Sequence, residues 1–94
     1  MRDWYRIFET SQFLEKLEHQ DFKGRKEKIK LKLAEYVYPQ LKEEPHYGLN
    51  IKKLHGKYNE VWRYRIGDWR FFYSIDEKEK ILSMLTVKER GESY

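Results

Sequence analysis

The stretch Trp62-Arg63-Tyr64-Arg65-Ile66-Gly67-Asp68-Trp69-Arg70-Phe71-Phe72-Tyr73 constrains the fold more than any other, because its alternation around a Gly-Asp centre reads as a tight β-hairpin. A glycine at the first of two connecting residues supplies the positive φ of a type II′ turn. With Gly67-Asp68 as the connection, Ile66 faces Trp69, Arg65 faces Arg70, Tyr64 faces Phe71, Arg63 faces Phe72 and Trp62 faces Tyr73. Opposed residues share a sheet face, and successive residues alternate faces. Trp62, Tyr64, Ile66, Trp69, Phe71 and Tyr73 therefore form one face, which belongs to a core, while Arg63, Arg65 and Arg70 point to the other. Like charges directly opposed are unfavourable by about 0.2–1 kcal/mol, so the Arg65/Arg70 pair invites an anion, and phosphate suits it. The competing reading is an ordinary solvated arginine face, neutralised by some of the 16 Asp and Glu.

Ninety-four residues suffice for one modest core, so residues 1–94 are expected to form a single domain. Hydrophobic residues make up 39% and aromatic ones 17%, which leaves a few large rings to supply much of the buried area. The formal net charge of +4 is uneven: residues 49–94 hold 10 Lys+Arg against 7 Asp+Glu, and residues 1–48 hold 10 against 9. The surplus sits with the hairpin and favours a polyanion or an acidic protein as partner. With no cysteine there is no disulfide, thiol nucleophile or thiolate metal site, which fits a reducing cytoplasm. His19, His46 and His55 show no ligand spacing, so no metal site is expected. There is no apolar run near 18 residues and no charged-then-apolar leader, so neither a membrane span nor a signal peptide is expected.

Along the chain, Trp4 to Glu9 alternates as a first strand. Thr10 or Ser11 can cap a short helix to about Glu18, with Phe13, Leu14 and Leu17 on one side. A second helix is expected from about Arg25 to Tyr38, with Ile29, Leu33 and Val37 four apart, lysines around its exposed arc, and Pro39 ending it. Ile51 and Leu54 mark a short strand ending at Gly56, and Lys57-Tyr58-Asn59 a turn into the strand Val61 to Ile66. Trp69 to Ile75 is the next strand and Ile81 to about Val87 the last. The expected fold class is α+β: an N-terminal strand, a two-helix antiparallel hairpin, then a four-stranded antiparallel meander, with the helices on one face. Arg63, Arg65 and Arg70 would point from the open face, whereas Trp4 and Trp62 read as core.

Lys52-Lys53-Leu54-His55-Gly56, the hairpin Trp62 to Arg70, and Leu85-Thr86-Val87 followed by Arg90 and Tyr94 occur in the order found in the RelE/ParE toxin superfamily. The chain resembles a RelE-like toxin of a type II toxin–antitoxin system over essentially its whole length. RelE-like ribonucleases carry two basic residues alternating before the hairpin turn, matched by Arg63 and Arg65, and an arginine just after it, matched by Arg70. Near the C-terminus they carry an arginine and a final tyrosine, matched by Arg90 and Tyr94. Two departures stand out. Many relatives have a histidine where this chain has Glu89 and a glycine where it has Lys88, and the spacing from Arg90 to Tyr94 is shorter than in the best-known ribonuclease of the group.

The resemblance implies a cytoplasmic, metal- and cofactor-independent endoribonuclease, an mRNA interferase that inhibits translation by cleaving messenger RNA in the ribosomal A site. Its implied partners are the ribosome with its message and a cognate antitoxin, with neither a membrane nor a small-molecule cofactor. In that reading Arg63, Arg65 and Arg70 grip the scissile phosphate, Arg90 assists the leaving group, and Tyr94 stacks on a base or helps move a proton. Arginine keeps its proton to pH above about 12, so it orients and stabilises but accepts protons poorly; Glu89 is a candidate base. Lys52, Lys53, Lys28 and Lys32 are candidate RNA-binding residues. Two alternatives stay open: a ParE-like inhibitor of DNA gyrase, and an inactive member that only binds its antitoxin.

Overall fold

The computed structural model describes residues 4–19, 24–55 and 60–89. Strand β1 is Arg6–Glu9, followed by helix α1, Ser11–Glu18. Thr10 caps α1: its Oγ1 accepts from the Phe13 N–H at 3.1 Å and its hydroxyl donates to the Met84 carbonyl at 2.7 Å, fixing the helix start against the sheet. Phe13 and Leu17 are buried as expected, but Leu14 is 44% exposed, because a helix of eight residues presents only a narrow stripe to the core.

The second helical region runs longer than the sequence suggests. Helix α2, Lys26–Lys32, continues through a π-helical turn, Leu33–Val37, into helix α3, Tyr38–Glu43. Pro39 does not end it. A proline inside an α-helix removes one hydrogen bond and clashes with the carbonyl four residues back. Here the turn just before it is widened, with the Tyr38 N–H donating to the Leu33 carbonyl, which accommodates the ring without stopping the helix. The widening also serves packing. Ile29, Leu33, Val37 and Leu41 are all buried at four-residue steps. At about 100° per residue such steps drift by about 40° each in a pure α-helix, and a wider turn offsets part of that drift.

Strands β2 (Ile51–Lys53), β3 (Trp62–Ile66), β4 (Trp69–Asp76) and β5 (Ile81–Glu89) complete a five-stranded sheet in the order β1-β5-β4-β3-β2. β1 runs parallel to β5 and the other pairs are antiparallel, so the expected meander gains a parallel edge and the sheet is mixed. The hairpin register agrees residue for residue with the sequence reading, from Trp62↔Tyr73 to Ile66↔Trp69. Gly67 has φ +58, and no non-glycine at the turn has a positive φ, as a type II′ turn requires.

Both helical segments cover the face that carries Tyr64, Trp69, Phe71, Tyr73, Leu82, Met84 and Val87, all buried. Tyrosine hydroxyls tie the second helix and the loop after it to the rest. Tyr38 donates to Glu9 at 2.6 Å, Tyr64 to Gln40 at 2.6 Å, and Tyr73 to the Pro45 carbonyl at 2.7 Å. Burial, aided at Tyr38 by the Glu9 carboxylate, pushes the Tyr38 and Tyr73 phenols far above their usual range, so both act as donors at any ordinary pH. Trp62 packs partly buried against the core, but Trp4 is 51% exposed. Gly56 and the turn Lys57-Tyr58-Asn59 lie outside the described residues. Among the described residues no helix is long and apolar enough to cross a membrane.

Candidate functional site

The face opposite the helices carries two cross-strand rows of side chains. In one, Lys52 faces Arg63, Arg63 faces Phe72 and Phe72 faces Thr86. In the next, Arg65 faces Arg70 and Arg70 faces Lys88. At about 4.8 Å between strands, the second row places three cations across about 10 Å of sheet, with no acidic residue in either row. Lys52, Arg63, Arg65, Arg70 and Lys88 thus converge on one side.

Arg63 is the most constrained of them. Its Nε is buried without a hydrogen-bond partner, and neither Arg63 nor Arg65 joins an ion pair among the described residues. Burial first, then the charges of Arg65 and Arg70, push the Arg63 pKa below the usual guanidinium range. Buried donors in native proteins are nearly always satisfied, so this unpaired guanidinium nitrogen beside like charges marks a place where an acceptor, water included, would be stabilising. Phe72, between Arg63 and Thr86 in the first row, is buried.

The remaining predicted residues fall elsewhere. Lys53 pairs with Trp62 and lies with its Nζ 5.7 Å from that ring's centroid, on the helix-covered side. Lys28 and Lys32 line a groove of about 360 Å³ with Arg25, Asp68 and Glu89 at the hairpin tip, round the rim from the arginines. Glu89 faces Trp69, also on the helix side, and its carboxylate is 2.5 Å from Arg25. The strand's alternation thus turns Glu89 away from the arginine face, which removes it as a base beside Arg70. Arg90 and Tyr94 lie outside the described residues. His46 does gather carboxylates, Glu44 at Nδ1 (2.9 Å) and Glu77 at Nε2. Two acids on opposite edges of one ring make a hydrogen-bonded clamp, not a set of ligands converging on a metal.

Lys88 was missed as a site residue. The pairing of β4 with β5 slips by one between Phe72 and Tyr73, leaving Leu85 without a partner. This β-bulge moves Thr86 and Lys88 to the arginine side and Val87 and Glu89 to the helix side. The signal was legible: core residues at Leu82, Met84 and then Val87 break the two-residue period.

Helices on one face of a five-stranded mixed sheet, with a row of basic residues on the other face, form the α+β architecture of RelE-like toxins. The toxin–antitoxin complex RelBE2 from Mycobacterium tuberculosis contains a chain with this fold, with a TM-score of 0.75 and 21% identity over 95% of this chain and 94% of that one. The YoeB/ParE toxin from Agrobacterium tumefaciens matches with a TM-score of 0.70 and 17% identity, over 90% and 98% of the two chains. The archaeal RelE–RelB complex from Pyrococcus horikoshii gives 0.53 and 25%, over 95% and 98%. No curated protein sequence matches the chain. The chain belongs to the family described as ParE toxin of type II toxin–antitoxin system, parDE, which matches it over residues 1–94.

Proposed function

We propose that this toxin-family chain is a ribosome-dependent endoribonuclease that cuts messenger RNA without a metal and is held inactive by a cognate antitoxin. The observation that carries this reading is that Arg63, Arg65 and Arg70 share one sheet face, with Arg65 directly opposite Arg70 and no acidic residue in their rows. In such a cleavage the 2′-oxygen attacks the adjacent phosphorus, the bond to the 5′-oxygen breaks, and a 2′,3′-cyclic phosphate and a 5′-hydroxyl remain. The 2′-hydroxyl proton leaves to a base, and the departing 5′-oxygen takes one from an acid. Guanidiniums fixed on a rigid sheet match the charge that builds on the phosphate oxygens, and electrostatic stabilisation of this kind supplies much of an enzyme's rate. Arg90 would assist the leaving group and Tyr94 stack on a base or relay a proton. Lys52 adds a cation beside Arg63. Positioning of the message is left to the ribosome, so free RNA should be cut slowly.

The antitoxin would cover the arginine face with an acidic or amphipathic segment, in keeping with the toxin–antitoxin complexes formed by the similar RelE and YoeB proteins. A second reading, inhibition of DNA gyrase, is favoured by the family's own description as ParE toxins. Induced expression followed by mapping of message 5′ ends on ribosomes separates the two. Wild type should produce new ends, and Arg65→Ala and Arg70→Ala should lose them. Growth arrest with intact messages and falling supercoiling would transfer the assignment to gyrase.

A further inference from the structure

Lys88 reaches the arginine face because β5 carries one extra residue. From Asp76↔Ile81 to Tyr73↔Met84 the strands keep one register, and from Phe72↔Thr86 to Trp69↔Glu89 they keep another. Were Leu85 instead paired with Phe72 in an unbroken ladder, Lys88 would turn to the helix side and Val87 would leave the core. β1 pairs with β5 only from Ile81 to Met84, so past Met84 the edge of β5 is free of β1. Helix α1 runs beside it there. Between them lies a notch of about 330 Å³ lined by Gln12, Glu15, Lys16, His19, Thr86 and Lys88. One wall is thus made by the last members of the two rows that contain Arg63 and Arg70.

We infer that this notch is a second nucleotide subsite, in which Lys88 takes the phosphate next to the one gripped by Arg65 and Arg70. The inference rests on the ribonuclease reading and extends it along the strand. The volume equals about eleven waters at ~30 Å³ each, room for one nucleotide's base or phosphate. The chemistry of the walls fits a nucleoside phosphate. Lys88 is a compact cation without an ion pair among the described residues, Gln12 offers an amide, and Glu15 offers an acceptor for a ribose hydroxyl or a base N–H. The row Arg65–Arg70–Lys88 runs across the strands towards α1, so an RNA strand following it leaves the scissile phosphate and enters the notch.

The test is the salt dependence of binding of a single-stranded RNA hexanucleotide, 2′-O-methylated to block cleavage, to the full chain between 50 and 200 mM salt. Each phosphate contact on single-stranded nucleic acid adds about 0.7 to the slope of log K against log salt. Lys88→Ala should lower the slope by about 0.7, so that wild type loses about 2.6-fold more affinity than the variant over this fourfold range. Lys88→Arg should keep the wild-type slope. Lys53→Ala, on the opposite face, should also keep it. With a dinucleoside monophosphate, whose single phosphate the arginines occupy, Lys88→Ala should bind like wild type. A hexanucleotide slope unchanged in Lys88→Ala, with RNA still bound by wild type, overturns the subsite and leaves the ribonuclease reading standing. Wild type that binds no RNA overturns both. Should Lys88→Ala fold poorly, Lys88→Gln carries the same comparison.

Discussion

The arginine face should weaken the fold that carries it, and removing a charge from it should stabilise the protein. Arg65 and Arg70 are directly opposed in the register, and Arg63 lies two residues from Arg65 on the same face. Replacing Arg65 with Gln keeps a long polar side chain and removes the like-charge contact. An opposed pair of like charges costs about 0.2–1 kcal/mol, and Arg65 is exposed, so the lower half of that range applies. Arg65→Gln should therefore gain about 0.2–0.5 kcal/mol at low ionic strength, or about 1–4 °C in Tm for a domain of this size. At about 1 M salt the screening length falls to about 3 Å and the gain should vanish. Inorganic polyphosphate should reverse the order, because a ligand bound more tightly by wild type stabilises wild type more. The assay is urea unfolding at about 10 mM and 1 M salt, with and without polyphosphate. If Arg65→Gln is less stable than wild type at low salt, Arg65 has a stabilising partner, and the idea of an electrostatically frustrated anion site is refuted.

Other parts of the molecule give sharper stability signals. Gly67→Ala should cost about 1–2 kcal/mol, because φ is +58 while an added Cβ meets nothing within 4 Å, so the penalty is backbone strain alone; Gly67→Asn should recover part of it in the same thermal melt. Thr10→Ala should cost about 1–2 kcal/mol, since it removes the cap of α1 and the bond to the Met84 carbonyl together, and an unfolding midpoint like wild type would show that the cap contributes little. Acid should loosen the clamp at His46. The Glu44 pKa is lowered by hydrogen bonds from the His46 backbone and ring. At Glu77, burial raises the pKa, but bonds from His46 and Tyr5 outweigh it and the net shift is downward. Carboxylates with lowered folded-state pKa values contribute stability that is complete above the unfolded value of about 4.5 and is lost as pH falls through the folded values. His46→Gln should flatten the stability curve below about pH 4.5, and an unchanged acid limb would assign acid sensitivity to other groups.

Much of the fold was legible because it rests on short-range rules. Gly67-Asp68 set a two-residue turn, the turn set the register, and the register set both faces of β3 and β4. The Thr10 cap and the buried stripe of Ile29, Leu33 and Val37 likewise follow from local periodicity. What escaped depends on tertiary context. Pro39 stays inside the helical region because a π turn before it absorbs the missing donor, and nothing in the nearby residues announces that turn. The parallel pairing of β1 with β5 joins residues more than 70 positions apart. Lys53 and Glu89 were assigned to RNA chemistry by sequence neighbourhood, but a strand sends neighbours to opposite faces, and each sits one position out of phase with the arginines.

That two-residue phase is also how the molecule separates stability from its candidate chemistry. In the hairpin, Tyr64, Trp69, Phe71 and Tyr73 anchor the sheet to the helices, while Arg63, Arg65, Arg70 and Phe72 occupy the other face. A substitution at Arg65 therefore touches few core contacts, while one at Phe71 or Tyr73 should unfold the protein without informing on catalysis. β5 has to keep Leu82, Met84 and Val87 in the core, and an unbroken strand cannot bury all three. The Leu85 bulge resolves the conflict, and the same step brings Thr86 and Lys88 round to the arginine side. The demand of the core for Val87 and the arrival of a cation beside Arg70 are thus one structural event, which is why Lys88 extends the basic row while Val87 stays buried.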